Sequence, residues 1–131
     1  MEAIYELEFS VRDYELDLQG IVNNSVYQNY LEHARHEFLL TKNIDFAALH
    51  SDGIDLVVSH VEIDYKNPLK SGDRFIVKLN IQKEGLLRIV FNQWIERIHD
   101  KKIIVDAKIT GVCLKNGRPV KPEDVIKELL T

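Results

Sequence analysis

The sequence predicts an α+β domain in which an antiparallel sheet wraps around one long helix. Two kinds of hydrophobic spacing predict it. Apolar residues recur with a period of two over Tyr5–Arg12 and again from Ile54 to Leu114, whereas between Asn24 and Leu40 they fall at helical spacing. The turns between the later runs are short, so we expect neighbouring strands to be antiparallel.

The first predicted strand covers Tyr5–Arg12, with its aromatic and aliphatic side chains on one face. The helix predicted over Asn24–Leu40 carries a single apolar stripe, formed by Tyr27, Tyr30, Leu31, Ala34 and Phe38. The short polar side chains of Asn24 or Ser25 are suited to cap its first free amides.

A short helical turn is expected after Asp45, closed at Ser51–Gly53. The strands that follow present regular faces. They comprise one strand with Val57, Val61, Ile63 and Tyr65 on a shared face, one with Phe75, Val77, Leu79 and Ile81, a third over Leu87–Ile98 and a fourth over Ile103–Leu114. A loop at 116–119 and a short terminal helix starting near Pro122 complete the prediction.

Length and composition limit what the chain does. Its 131 residues predict one domain, 1–131, and a net charge of −4 disfavours nucleic-acid binding through a general basic surface. With Cys113 as the single cysteine, an intramolecular disulfide is excluded, and we expect no redox chemistry or cysteine-based zinc site. The sequence shows neither a membrane span nor a signal segment, so we expect no membrane insertion and a cytoplasmic location.

Asp17 is the leading candidate for chemistry. It precedes the helix start in a turn that contains Gly20, and an aspartate at such a place is usually a cap or turn former. A carboxylate facing the free amides of a helix N-terminus also forms a small reaction centre, with a base on one side of a carbonyl and hydrogen-bond donors on the other. Gly20 either supplies a backbone shape that other residues resist or lets a ligand approach closely.

Three segments together resemble a known family. They are Asp17-x-x-Gly20-Ile21-Val22-Asn23-Asn24-x-x-Tyr27, the run Tyr30 to Glu37, and the strand-ending pattern from Ile63 to Asp73. They are similar to the hotdog-fold acyl-CoA thioesterases of the 4-hydroxybenzoyl-CoA thioesterase type, and also to the plastid-type acyl-carrier-protein thioesterases. The resemblance spans nearly the whole chain and implies the hotdog fold.

The resemblance implies hydrolysis of an acyl-CoA or acyl-carrier-protein (acyl-ACP) thioester without a metal or redox cofactor. Asp17 is implied as the catalytic group, acting either as general base on water or as a nucleophile that forms an anhydride. The backbone amide at Asn24 is implied to bind the thioester oxygen. Position 24 departs from the Tyr or His that is more common there, but the backbone carries this role.

The remaining site residues are expected to bind substrate. Tyr27 belongs to the apolar stripe and is expected to line the acyl pocket, next to Asn23. His60 is interpreted as a surface or subunit-interface residue, and the alternative is that Ser59 and His60 reach a neighbouring active site. The basic residues Lys83 and Arg88 resemble a turn that lies near the coenzyme. The exposed sheet edges favour a homodimer or homotetramer.

Several alternatives remain. His33 and His36, spaced four residues from Glu37 and Glu32, are interpreted as partners in solvated ion pairs or as subunit contacts rather than as metal ligands. Cys113 lies in an apolar strand and is expected to be inert. A hotdog protein that binds acyl thioesters without turnover is the main alternative function, and an enoyl thioester hydratase is the second.

Overall fold

The structure is a computed structural model that describes residues 2–130. The helices are α1 (Asn24–Thr41), α2 (Phe46–Ser51) and α3 (Pro122–Val125). The strands are β1 (Tyr5–Ser10), β2 (Ile54–Tyr65), β3 (Arg74–Glu84), β4 (Arg88–Arg97), β5 (Ile103–Lys115) and β6 (Arg118–Val120). A single 3₁₀ turn at Asp13–Glu15 follows β1.

All pairings in the six-stranded sheet are antiparallel, as predicted. The strand order is β1-β3-β4-β5-β2, and β6 pairs with the end of β5. Within residues 2–130, β1 and β2 are therefore the edges of the sheet, and β2 has one edge without a partner strand.

The long helix α1 covers the inner face of this sheet and confirms the predicted apolar stripe. All five predicted positions of the stripe are buried. Tyr30 packs between Phe9 of β1 and Phe75 of β3, with ring centroids 5.4 and 4.8 Å apart. These aromatic contacts fix the first half of α1 against the β1–β3 side of the sheet.

The helix begins at the predicted residue, but its cap differs from the prediction. Asn23 is the N-cap residue, with extended backbone, and its Oδ1 accepts a hydrogen bond from the Ser25 N–H at 3.2 Å. The prediction placed the cap at Asn24 or Ser25. That prediction is wrong because Asn23 is the last non-helical residue and already satisfies the Ser25 amide.

Strand β2 corrects a second prediction. Its register with β5 shifts between Val58 and His60, so Ser59 is an extra residue without a partner. Val58 and Val61 lie opposite Gly111 and Ile109, which share the inner face of β5. Val57 therefore faces the other side of the sheet, not the side of Val61 as strict alternation predicts, because a bulge reverses the alternation.

The C-terminal segment also differs in one respect. The predicted loop at 116–119 is a tight turn followed by β6, with Asn116 and Gly117 both at positive φ (52° and 80°). An Asn-Gly pair is a strong hairpin signal, so this strand was predictable from the sequence. The short helix does begin at Pro122, as predicted.

Candidate active site

The N-terminus of α1 offers one free amide. The Ser25 N–H is bound by the Asn23 side chain, and the Val26 N–H by the Asn23 carbonyl at 2.9 Å. No hydrogen bond within residues 2–130 uses the N–H of Asn24, the first helical residue. A free N–H with the partial positive charge of a helix start is suited to donate a hydrogen bond to a carbonyl oxygen that gains negative charge.

Asn24 lies in the wall of a cavity of about 280 Å³ at this end of the helix. The side chains of Val22, Tyr27 and Tyr65 line it, together with Pro68. The cavity thus joins the helix start to the end of β2 and to the segment that follows β2.

Tyr27 forms part of the cavity wall, and its hydroxyl is already hydrogen-bonded within the chain. The side chain is buried, and its oxygen accepts a hydrogen bond from the Leu69 N–H at 3.0 Å. The Leu69 carbonyl in turn accepts from the Val22 N–H at 2.9 Å. Burial raises the pKa of Tyr27. The ring therefore supplies a wall rather than a proton donor, in agreement with its predicted place in the apolar stripe.

The turn of Asp17 is closed by its own backbone and side chain. The Asp17 N–H donates to the Ile21 carbonyl at 2.8 Å, and Oδ1 accepts from the amides of Gln19 at 2.8 Å and Ile21 at 3.3 Å. Asp17 is exposed and does not line the cavity beside Asn24 in the single chain, although Ile21 does. The carboxylate is thus a turn former, with its other oxygen, Oδ2, unbound by the described chain.

Gly20 has a conformational role in this turn. Its φ is +80°, and an added Cβ would meet no atom within 4 Å. The first of the two expected explanations, a backbone shape that other residues resist, therefore accounts for this glycine within the chain.

A buried carboxylate that sequence reasoning missed supports the same turn. Glu15 accepts a hydrogen bond from the Tyr30 hydroxyl at 2.7 Å and from the Arg12 N–H at 2.8 Å. Its backbone carbonyl accepts from the Asn23 N–H at 3.1 Å. Burial and the hydrogen bond to the Glu15 carboxylate raise the pKa of Tyr30. Glu15 thereby links the start of the Asp17 turn to both the cap and the second turn of α1.

The other predicted site residues lie elsewhere in the single chain. The Ser59 hydroxyl donates to the Thr110 carbonyl at 3.3 Å, and His60 pairs with Glu62 at 3.0 Å. Six residues of strand separate Ser59 from Tyr65, roughly 20 Å. One chain therefore does not bring Ser59 and His60 to the cavity at Asn24.

Lys83 and Arg88 are also distant, at the β3–β4 hairpin. The Lys83 ammonium is paired with Glu123 at 2.6 Å. Arg97, at the other end of β4, donates to the carbonyl of Pro68, which lines the cavity. The length of β4 between Arg88 and Arg97 is about 30 Å, so both basic residues lie at the far end of the sheet.

Two further cavities continue along α1, between the helix and the inner face of β2. One of about 160 Å³ is lined by Gln28, Leu31 and Val61, and one of about 230 Å³ by Leu39, Phe46 and Leu56; both share Arg35 and Val58. We refer to these two cavities as the α1–β2 groove. Its floor on β2 is open, since Val58 is 51% and Val61 39% exposed.

The predicted ion pairs on α1 are present. His33 lies 3.8 Å from Glu37, and His36 lies 3.9 Å from Glu32, with all four side chains substantially exposed. Such pairs contribute little to stability.

Cys113 is buried, as its apolar strand predicts, and burial raises its pKa to about 11. Its thiol therefore stays protonated near neutral pH, which suits a packing role rather than a nucleophile. The helices formed by residues 2–130 all fall short of the length and apolarity that a bilayer crossing requires.

A curled antiparallel sheet around one helix, with a free amide at the start of that helix, is the architecture of a hotdog-fold protein. Residues 11–130 match the Thioesterase-like superfamily, and the chain belongs to this family. The resemblance noted in the sequence is therefore confirmed, as is the α+β hotdog fold.

Three comparisons illustrate the relationship. The chain is 41% identical over 122 residues to the chloroplastic acyl-acyl carrier protein thioesterase ATL3 of Arabidopsis thaliana, covering 92% of this chain and 64% of that protein. It is 30% identical over 128 residues to the long-chain acyl-CoA thioesterase FadM of Escherichia coli K12, covering 95% and 96%. A crystal structure of a hypothetical protein from Aquifex aeolicus superposes with a TM-score of 0.85 at 30% identity, covering 95% and 98%. The chain thus spans about two-thirds of the length of ATL3 and nearly all of FadM.

Proposed function

We propose that this protein hydrolyses an acyl-CoA or acyl-ACP thioester to a free carboxylic acid and a thiol. The observation that carries the proposal is the unpaired Asn24 amide, at the positive end of α1 and in the wall of a cavity next to the Asp17 turn. Membership of the Thioesterase-like superfamily supports it, as do the thioesterase activities for which ATL3 and FadM are named.

In the proposed reaction the thioester carbonyl oxygen accepts a hydrogen bond from the Asn24 N–H. Attack on the carbonyl carbon turns this oxygen into an oxyanion, which the amide and the helix dipole stabilise. Asp17 either removes a proton from the attacking water or attacks through its own oxygen, in which case water then cleaves the anhydride. The C–S bond breaks, and the thiolate leaves and takes up a proton.

A homodimer would complete this site, and we propose it for the protein. The free edge of β2 is available to pair with β2 of a second copy about a two-fold axis. Antiparallel pairing centred near Ser59 and His60 would place the Ile54 end of one strand beside the Tyr65 end of the other. Because Arg88 pairs with Val112 at the Ile54 end of the sheet, the basic hairpin of the partner subunit would approach the cavity at Asn24.

We place the predicted substrate-binding residues in this proposed dimer as follows. Lys83 and Arg88 would meet the phosphates of the carrier across the subunit boundary, Asn23 and Tyr27 would border the acyl group, and Ser59 and His60 would lie at the two-fold axis. The cytoplasmic location expected from the sequence remains a prediction, and ATL3 is by name a chloroplastic protein.

The test is thiol release from a panel of acyl-CoA and acyl-ACP thioesters, with product acids identified by mass spectrometry. The proposal predicts stoichiometric thiol and free acid for at least one substrate. Binding of the panel without thiol release would support the non-catalytic alternative. Hydration of an enoyl-CoA with its thioester intact would support the hydratase.

A further inference from the structure

Arg35 is a cation in the α1–β2 groove that has no carboxylate of residues 2–130 within ion-pair distance. It is half-buried on α1, and its Nη1 donates to Oε1 of Gln93 at 2.9 Å. The ion pairs of residues 2–130 do not include Arg35. Glu32 lines the same cavities, pairs with His36 at 3.9 Å, and acts on Arg35 only through the charge of its carboxylate. Burial lowers the pKa of Arg35, and the guanidinium nevertheless stays charged at neutral pH.

Gln93 holds this guanidinium in place. The Gln93 side chain is fully buried on the inner face of β4, and its Nε2 donates to the Leu31 carbonyl of α1 at 3.0 Å. With Nε2 committed to the helix, Oε1 is directed at Arg35. The position of the cation is therefore set by a buried, satisfied hydrogen-bond pair rather than by a mobile surface contact.

The walls around Arg35 are mainly apolar, with Leu39, Phe46, Leu56, Phe91 and Ile109 in the same cavity. Glu32 and His36 also line this cavity, at its exposed side, and pair with each other at 3.9 Å. A guanidinium has five N–H donors, and the bond to Gln93 uses one of them. A charged group among apolar walls is costly unless acceptors satisfy it, so the groove favours an occupant that carries an anion on an apolar chain.

We infer that Arg35 binds a carboxylate at the far end of the acyl chain, so that the preferred substrates are thioesters of long-chain dicarboxylic acids. This inference rests on the proposed function, because it assumes that the thioester carbonyl lies at Asn24. The cavity at Asn24 and the α1–β2 groove lie one after the other along α1, the first lined by Tyr27 and Tyr65 and the second by Gln28, Val61 and Arg35. In the proposal the acyl chain runs from the first cavity into the second.

The spacing sets the length of that chain. Arg35 lies eleven residues after Asn24 on α1, about 16 Å along the helix axis. Its side chain leans toward the helix N-terminus, which brings the guanidinium a few ångströms closer. An extended chain advances about 1.2 Å per bond, so the two carbonyl carbons are expected roughly ten to thirteen bonds apart.

The test compares dodecanedioyl-CoA with lauroyl-CoA, which has the same chain length but a methyl end. We measure kcat/KM for both with the wild type, Arg35→Met, Arg35→Lys and the matched control Arg74→Met, an exposed arginine that pairs with Glu8 outside the groove. Isothermal titration of dodecanedioic and lauric acid gives a second readout that needs no turnover. Sedimentation gives the oligomeric mass of each variant.

The wild type is expected to prefer dodecanedioyl-CoA by about tenfold or more, as a charge-assisted hydrogen bond implies. Arg35→Met is expected to abolish the preference for dodecanedioyl-CoA over lauroyl-CoA. Arg35→Lys is expected to retain part of this preference, and Arg74→Met to leave it unchanged. Hydrolysis without any preference in the wild type, or an equal loss of both substrates in Arg35→Met, overturns the inference. A lower oligomeric mass in Arg35→Met also overturns the inference, because it would indicate that Arg35 binds a carboxylate of a second copy rather than the substrate.

Failure of the proposed function gives a different result. If the wild type hydrolyses none of the thioesters but still binds dodecanedioic acid about tenfold more tightly than lauric acid, the Arg35 subsite stands and the hydrolase proposal falls. If neither acid is preferred in titration, the subsite falls whatever the hydrolysis rates are.

Discussion

The carboxylate of Glu15 and the hydroxyl of Tyr30 are joined by a 2.7 Å hydrogen bond in the protein interior. The Glu15 carboxylate also accepts a hydrogen bond from the Arg12 N–H, and the Glu15 backbone carbonyl accepts one from the Asn23 N–H. The bond therefore ties the segment that leads into the Asp17 turn to the helix that carries Asn24.

Replacing Tyr30 with Phe tests this connection. The substitution keeps the ring but leaves Glu15 short of one donor, which costs about 1–3 kcal/mol of stability in a buried site. Because the Asp17 turn is then held less firmly, we expect kcat to fall more than KM rises. Urea unfolding and steady-state kinetics measure the two effects, and an unchanged kcat at reduced stability would show that Glu15 and Tyr30 serve folding alone.

Gly20 and Gly72 provide a matched pair of substitutions. Both have φ near +80°, and at both an added Cβ meets no atom within 4 Å. Alanine at either site is expected to cost about 1 kcal/mol of stability through backbone strain. Only Gly20→Ala lies in the Asp17 turn, so only this variant should lose activity; equal activity losses in both variants would contradict a special role for the turn.

Cys113 gives a pH dependence. Burial raises its pKa from 9.0 to about 11, so between these values the unfolded chain loses the thiol proton while the folded chain keeps it. Stability from this group is complete below pH 9 and is lost as pH rises toward 11. Chemical unfolding across this range should show a smaller decline in Cys113→Ala than in the wild type, and parallel declines would rule out a buried thiol.

The proposed dimer predicts that Val61→Glu lowers the oligomeric mass. Val61 is 39% exposed in the single chain and lies on β2 beside the free sheet edge, so a charge there is tolerated by a monomer but not in a buried interface. Ile4→Glu, at a position that is 55% exposed beside β1 at the opposite edge of the sheet, is the control. Sedimentation of a monomeric wild type at micromolar concentrations would contradict the dimer.

The parts of the fold that follow from local periodicity were predictable. The stripe of α1 and the inner face of β3 both follow from spacing alone. The stripe is buried as predicted, as are Phe75, Val77 and Leu79 of β3, while Ile81 is partly buried. The bulge at Ser59 was not, because it is defined by register against β5 and not by the residues of β2 themselves. A bulge at one residue was enough to reverse the predicted face of Val57.

The candidate site likewise contains residues that the sequence predicted and residues that only the folded structure identifies. Asp17, Gly20 and Asn24 form a recognisable run in the sequence. Glu15 gave no local signal, since its importance comes from a hydroxyl fifteen residues away. Arg35 reads in the sequence as one more charge on a polar helix face, and only the packing of β4 places Gln93 against it.

The most direct test of the central claim is the substitution Asn24→Pro. Asn24 is the first helical residue, where proline is well tolerated, and Asn23 before it already has the extended backbone that proline favours. The substitution removes the free N–H while preserving the helix, and Asn24→Ala changes the side chain but keeps the N–H. We predict near-native stability for both variants and a loss in kcat of about a hundredfold or more for Asn24→Pro alone. A folded Asn24→Pro variant with the kcat of Asn24→Ala would contradict the account.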